Sequence, residues 1–257
     1  MKPLDLERLH ELQLALAVEV KRICEKENIP YFLVDGTALG AINLNDFIPW
    51  DDDLDIGMYM PDYQKFLRVC EIELNPRYKM KDFTTDPHFG CSFGQLIDTT
   101  VKLVNKNNEE SLDTKGVFID IHPFCNCSEI KAIRLYDYYK FKFYKLCLLQ
   151  KRKYLDKESK VAPLVKMSCR FISEETVKNR ILRMRNKKRG RKALKIHGRH
   201  PEDYIQISNL RCLKTVRFAG EEFTIQPNAE QMLKSTYGKF IADRNEYNRH
   251  HIIFFDP

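Results

Sequence analysis

The sequence has one Trp, ten Gly and eleven Pro in 257 residues. That is far too little Gly and Pro for a collagen-like or low-complexity chain. Long apolar runs are missing as well. The longest are a few residues, against the ~18–20 that a bilayer-crossing helix needs, so no transmembrane helix is expected. The first twenty residues set Asp5, Glu7, Arg8, Glu11 and Glu19 among their leucines. They therefore lack the basic flank and unbroken apolar centre of a secretory signal, and a cytoplasmic protein is expected. Cysteine is present but not clustered: eight are scattered along the chain, which suits reduced thiols better than a disulfide frame. His122, Cys125 and Cys127 have an H-x2-C-x-C spacing without a partner pair, which argues against a structural zinc.

What is present supports a substantial core. Hydrophobic residues make up 43% of the chain, with sixteen Phe and twelve Tyr. The length allows one large domain or two small ones, and a single domain over residues 1–257 is expected. Charge is unevenly placed. Residues 134–199 hold 22 Lys and Arg against 5 Asp and Glu, while the rest of the chain is net acidic. Such a basic block reads as a surface for anions, either lipid head groups or nucleic acid, or else as a solvated helical face.

Leu6, Leu9, Leu12, Leu16, Val20 and Ile23 recur at three- and four-residue steps, predicting an amphipathic helix up to Asn28 that Asp5 would cap. Residues 29–34 (IPYFLV) read as a buried strand ending in a tight turn at Gly36. A short helix from Ala38 to Ile42 should follow. Pro61 opens a further helix with Tyr63, Phe66, Leu67, Cys70 and Leu74 inward. Strands are expected over 78–84, 93–98, 101–105 and 116–124, then helix over 129–199. Strands over 215–218 and 222–225 should precede a helix over 228–237 stopped at Gly238. This order argues an α+β fold with helices packed on a mixed sheet.

The run Asp51-Asp52-Asp53-Leu54-Asp55 needs a chemical explanation. In a strand, Asp53 and Asp55 share one face, while Leu54 and Ile56 point to the core. Converging carboxylates oppose folding unless a hard divalent cation relieves them, and Mg2+ fits an all-oxygen phosphate site. The alternative is an acidic, solvated loop. Upstream, Gly36-Thr37 opens a helix whose free amides favour phosphate. Asp120, in the strand pattern of residues 116–124, is the candidate third carboxylate.

These residues carry a resemblance. Residues 33–41 (LVDGTALGA) followed by 47–57 (FIPWDDDLDIG) closely resemble the LicD family, relatives of fukutin and fukutin-related protein in the nucleotidyltransferase superfamily. Residues 118–124 (FIDIHPF) and 218–227 (FAGEEFTIQP) are similar to later motifs of that family. The resemblance implies a nucleotidyltransferase-like mixed β-sheet flanked by helices, with residues 129–200 as a basic helical insertion. It also implies a metal-dependent phosphotransferase that moves a phospho-alcohol such as phosphocholine from a CDP-linked donor to a sugar hydroxyl of a cell-surface glycan precursor. Asp53, Asp55 and Asp120 would hold Mg2+ or Mn2+. Asp51, Asp53, Asp55 and Asp120 would be the catalytic set, and Gly36, Thr37, Trp50 and Asp52 would meet substrate. Where the family commonly carries positive charge, this chain has Asn43-Leu44-Asn45-Asp46.

The expected partners are the CDP-linked donor, a glycan acceptor carried on a lipid, and an anionic membrane surface. The last would be met at the inner face through the basic insertion, where the run over 138–145 interleaves rings and ammonium groups. Two other classes stay open. One is a basic module that binds nucleic acid or membrane, although no RNA-binding motif is recognised. The other is a catalytically weakened scaffold of this fold, suggested by Asn43 and Asp46.

Overall fold

The structure is a computed structural model that describes residues 6–86, 89, 91–105, 116–152, 162–188, 190–196, 198, 201–237 and 252–255. Asp5 and Gly238, the expected cap and stop, lie outside the described residues. In chain order the elements are α1 (Leu6–Glu27), β1 (Phe32–Leu33), α2 (Asp35–Leu44), β2 (Asp55–Tyr59), α3 (Met60–Glu73), β3 (Tyr78–Lys81), β4 (Gly94–Asp98), β5 (Lys102–Asn105), β6 (Phe118–Cys127), α4 (Lys131–Lys151), α5 (Ala162–Ser168), α6 (Glu174–Arg185), β7 (Lys192–Lys195), β8 (Tyr204–Gln206), β9 (Lys214–Phe218), β10 (Glu221–Ile225), α7 (Ala229–Tyr237) and β11 (Ile252–Phe255). The architecture is α+β. No helix among the described residues is long and apolar enough to cross a membrane.

The chain divides into two compact units, one of Met1–Lys81, Gly94–His122 and Asn209–Pro257, the other of Asp82–Phe93 and Pro123–Ser208. In the first, the strands run β1-β2-β6-β4-β3. The α1 periodicity is realised: Leu9, Leu12, Leu16, Val20 and Ile23 are all buried, and α1 packs on α3 and β4. From α3, Tyr63, Phe66 and Cys70 are buried as expected, beside Phe32, Ile56, Leu96, Ile119 and Ile121 of the sheet. The expected strand over 29–34 shortens to two residues, because only Phe32 and Leu33 find ladder partners, in Gly57 and Ile56. The β9–β10 hairpin buries Phe218 and Phe223, and Phe218 meets Phe47 at 4.6 Å between ring centroids.

In the second unit the end of β6 pairs with β7, and β7 with β8. Residues 129–199 are therefore not helical throughout. The α6 helix ends at Arg185 with Asn186 as its C-cap, and Gly190, at φ +102°, lies before β7, where a Cβ would lie 2.1 Å from the Cys127 carbonyl oxygen. The next residues then pair as strand. The α6 helix is capped by Ser173, whose hydroxyl accepts from the Thr176 amide at 3.1 Å, satisfying one first-turn donor.

Part of the basic block is internal. Arg134 donates to Glu202 at 2.9 Å and Arg152 to Glu174 at 2.8 Å. Arg185 and Asp82 form an ion pair at 3.3 Å with both side chains almost wholly buried, and Arg185 lies over the Phe83 ring at 4.7 Å. The interleaved run over 138–145 is helix, and its Tyr138, Phe141 and Tyr144 are buried.

Candidate active site

Strand pairing in the first unit assembles the site. Beyond the β1–β2 ladder, the Val34 amide donates to the Asp55 carbonyl at 3.2 Å, which brings Asp35 beside Asp55. The chain turns there because Asp35 adopts φ +50°, a left-handed conformation that short polar side chains tolerate. Two residues on, the buried Thr37 hydroxyl accepts from the Asp55 amide at 2.8 Å. On the other side of β2, the Asp120 amide donates to the Leu54 carbonyl at 2.9 Å. Asp120 and His122 share one face of β6 through the two-residue period. His122 Nε2 lies 2.7 Å from Asp55 Oδ1, with both side chains buried. Ligand atoms of Asp35, Asp55 and His122 all fall within 4.8 Å of one another. Gln95, the partner of Asp120 in the β4–β6 register, donates its amide to Asp120 Oδ1 at 2.9 Å.

The approach to β2 is held by α1. The Asp51 amide donates to the Ile48 carbonyl at 2.9 Å, closing a turn. A His10 ring nitrogen lies 2.8 Å from the Asp51 carbonyl, and Gln13 Nε2 donates to the Asp52 carbonyl at 2.9 Å. The His10 ring stacks on Phe47 at 4.1 Å. With the backbone so pinned, carboxylate oxygens of Asp51, Asp52 and Asp53 also gather within 4.8 Å.

Crowded carboxylates show in their acidity. Burial, with Asp53 and Asp55 nearby, pushes the Asp51 carboxyl up to about 9. Burial and Asp55 push Asp120 up to about 7, against the lowering influence of His122 and of the Gln95 hydrogen bond. Low-dielectric surroundings and like charge both disfavour the ionised forms, and positive charge entering the cluster would relieve both.

The sequence expectation placed Asp53 and Asp55 on alternate positions of one strand. The ladder instead begins at Asp55, so Asp53 groups with Asp51 and Asp52, and Asp55 groups with Asp35 and His122. Asp120 lies within the field of Asp53 and Asp55. Gly36 and Thr37 are buried in the first turn of α2, one turn earlier than the helix start expected from sequence. The left-handed residue of that turn is Asp35, not Gly36. Trp50 is half-buried, and its buried indole N–H has no hydrogen-bond partner among the described residues. Sequence reasoning missed Asp35, and it weighed His122 only as a zinc ligand beside Cys125 and Cys127. The signal for His122 was its spacing of two from Asp120; for Asp35 it was adjacency to the glycine turn.

Among the described residues neither Cys125 nor Cys127 joins a cluster of ligand atoms, and burial pushes their thiols up to about 12 and about 11. Residues 43–46 end α2. Asn45 is the left-handed C-cap at φ +53°, and Asp46 Oδ1 accepts from the Phe47 amide at 2.8 Å.

Comparison with known proteins shows what the chain is similar to. The family model described as LicD/FKTN/FKRP, nucleotidyltransferase domain, matches residues 28–170. The lipopolysaccharide cholinephosphotransferase LicD of Haemophilus influenzae is 38% identical over 81 residues, covering 32% of this chain and 31% of that protein. The uncharacterized protein RP689 of Rickettsia prowazekii is 25% identical over 108 residues, 42% of this chain and 39% of the relative. The uncharacterized protein RT0683 of Rickettsia typhi is 39% identical over 66 residues, 26% and 21%. The chain thus spans about a fifth to two fifths of the length of these curated relatives. With more than half of its residues inside the matched region, the chain belongs to the LicD/FKTN/FKRP nucleotidyltransferase-domain family.

Proposed function

We propose that the protein is a metal-dependent phosphotransferase that moves a phospho-alcohol, phosphocholine foremost, from a CDP-linked donor to a sugar hydroxyl of a glycan precursor. The supporting observation is the gathering of Asp51, Asp53, Asp55, Asp120 and His122 in one unit, where burial and neighbouring carboxylates push the Asp51 and Asp120 carboxyls up. The activity for which the Haemophilus relative is named points the same way. In this reading the fold is nucleotidyltransferase-like over residues 1–257, and residues 129–200 are an insertion.

The donor set fits a divalent cation. The oxygens of Asp51, Asp52 and Asp53 suit Mg2+ or Mn2+, whereas Asp35, Asp55 and His122 add an imidazole and make a softer set. Asp53 and Asp55 remain the ligands that the family resemblance implies, with Asp120 either joining them or taking the acceptor proton. A bound cation would neutralise the donor diphosphate and the departing CMP.

The chain's own groups do the rest. Asp120, with its acidity near neutral and its carboxyl oriented by Gln95, is placed to take the acceptor hydroxyl proton as general base. Asp51, whose carboxyl is pushed up by burial beside Asp53 and Asp55, supports it. Thr37 fixes the start of β2 and hence Asp55. The first-turn amides at Gly36 and Thr37 face the donor phosphates, and Trp50 and the Asp52 carboxylate contribute to substrate binding.

The test is CMP release from CDP-choline, CDP-glycerol and CDP-ribitol with candidate glycan acceptors, with and without Mg2+ or Mn2+. Asp53→Asn and Asp55→Asn should abolish metal-dependent release while circular dichroism stays native. Asp120→Asn should lower it by roughly 10²–10⁴-fold, the usual worth of a general base. Full activity in both the Asp53 and Asp55 variants rejects the reading.

A further inference from the structure

The second unit exposes apolar groups that a water-soluble surface has no use for. Helix α5 turns Val165 inward, and the chain following it buries Cys169. Leu164, Met167 and Phe171, at steps of three and four, lie 61%, 68% and 91% exposed. On α4, which packs against α5, Tyr136 and Tyr139 are 63% and 62% exposed. Yet Tyr138, Phe141 and Tyr144 of the same helix are buried, so α4 carries rings on opposing faces. A helix apolar on both sides meets something apolar on each.

Within the segment that carries Leu164, Met167 and Phe171 the charges have one sign, and of the two glutamates that follow at the start of α6, Glu174 is engaged by Arg152 at 2.8 Å and Glu175 is exposed. Residues 162–173 contain Lys166 and Arg170 and no acidic residue, and both cations are exposed. The Arg170 guanidinium lies over the Phe171 ring at 5.7 Å and the Lys140 ammonium over Tyr136 at 5.1 Å. Asp137, the acidic residue of α4, is engaged by Lys187 at 2.7 Å.

We propose that this face, built on Leu164, Met167 and Phe171 and flanked by Lys166 and Arg170, docks the protein on an anionic phospholipid surface. Large apolar side chains enter the head-group boundary while Lys and Arg stay at the phosphates, the division of labour of an interfacial helix. Nucleic acid would use the cations and leave the aliphatic groups in water. A second copy in the same pose would set like charges against each other. The docking residues differ from those the sequence suggested: the interleaved rings at 138, 141 and 144 serve the interior, and the lipid-facing groups come from α5 and the turn that follows it. The inference stands apart from the reaction proposed above, because no residue of the carboxylate cluster takes part.

The test is flotation of the full chain with vesicles of phosphatidylcholine alone and of an equal mixture with phosphatidylglycerol. Co-flotation should be at least about tenfold stronger on the anionic vesicles and weaken with salt. The triple variant Leu164→Ser, Met167→Ser, Phe171→Ser alters only exposed groups, so it should keep its circular dichroism spectrum and lose binding by about tenfold or more. Lys166→Glu with Arg170→Glu should abolish the preference for anionic lipid. Unchanged flotation of the triple variant, or no flotation of the wild type, overturns the proposal. So does light scattering that finds a wild-type dimer which the triple variant dissolves.

Discussion

Replacing Thr37 by Val isolates one hydrogen bond on which the geometry of Asp55 depends. The Thr37 hydroxyl accepts from the Asp55 amide at 2.8 Å, and both residues are buried. Valine preserves the shape and the β-branch but offers a methyl where the oxygen stood. A buried amide left without an acceptor costs about 1–3 kcal/mol. At about 2–4 °C per kcal/mol for chains of this size, the melting temperature should fall by roughly 2–12 °C. Serine keeps the acceptor and removes one buried methyl, about 0.8 kcal/mol. The expected stability order is therefore wild type, then Thr37→Ser, then Thr37→Val, read from urea unfolding followed by circular dichroism. The same order in kcat/KM for CMP release would show that the bond positions Asp55. A valine variant within about 0.5 kcal/mol of wild type, or a serine variant less stable than valine, would refute the reasoning, since the hydroxyl would then contribute nothing.

Arg185→Met should cost about 3–5 kcal/mol in urea unfolding, because it leaves the Asp82 carboxylate buried without its cation. Combining it with Asp82→Asn should recover part of that loss. Gly40→Ala should destabilise by about 1–3 kcal/mol despite alanine's better helix propensity, because a Cβ there would lie 2.5 Å from the Asp46 carbonyl oxygen. Burial alone would raise the Asp98 carboxyl, but hydrogen bonds from Arg77 and Thr100 outweigh it and hold Asp98 below the usual carboxylate range. With a depressed folded-state value, its contribution is fully present above the unfolded value near about 4 and is lost as pH falls through the folded one. The stability gap between wild type and Asp98→Asn should accordingly be constant near neutrality and close in acid, as thermal melts across pH would show.

Short-range patterns were legible. The three- and four-residue recurrence of leucines in α1 and the rings of α3 follow from helical period alone, and both helices stand where that period puts them. The D-x-D run and Asp120 drew notice through unusual composition at strand positions. Illegible were features decided by partners distant in sequence. Asp35 meets Asp55 because β1 pairs with β2, and His122 meets Asp55 because β6 lies beside β2; no local pattern encodes either neighbour. The burial of Arg134 and Arg185 inverts the ordinary expectation for cations and depends on Glu202 and Asp82, acids that lie outside the basic stretch. Strand β7 was masked by a Lys- and Arg-rich neighbourhood whose helical length looked continuous.

The tether from His10 and Gln13 to the carbonyls of Asp51 and Asp52 sets a trade between durability and reactivity. These contacts hold the backbone while the carboxylates on it repel, so the fold sustains an electrostatic compression that it gains nothing from when idle. Swapping one repelling aspartate for asparagine should make the protein tougher as it makes it inert. Conversely, removing the Gln13 amide should let the acidic segment relax apart, lowering its appetite for cations without touching any acidic group.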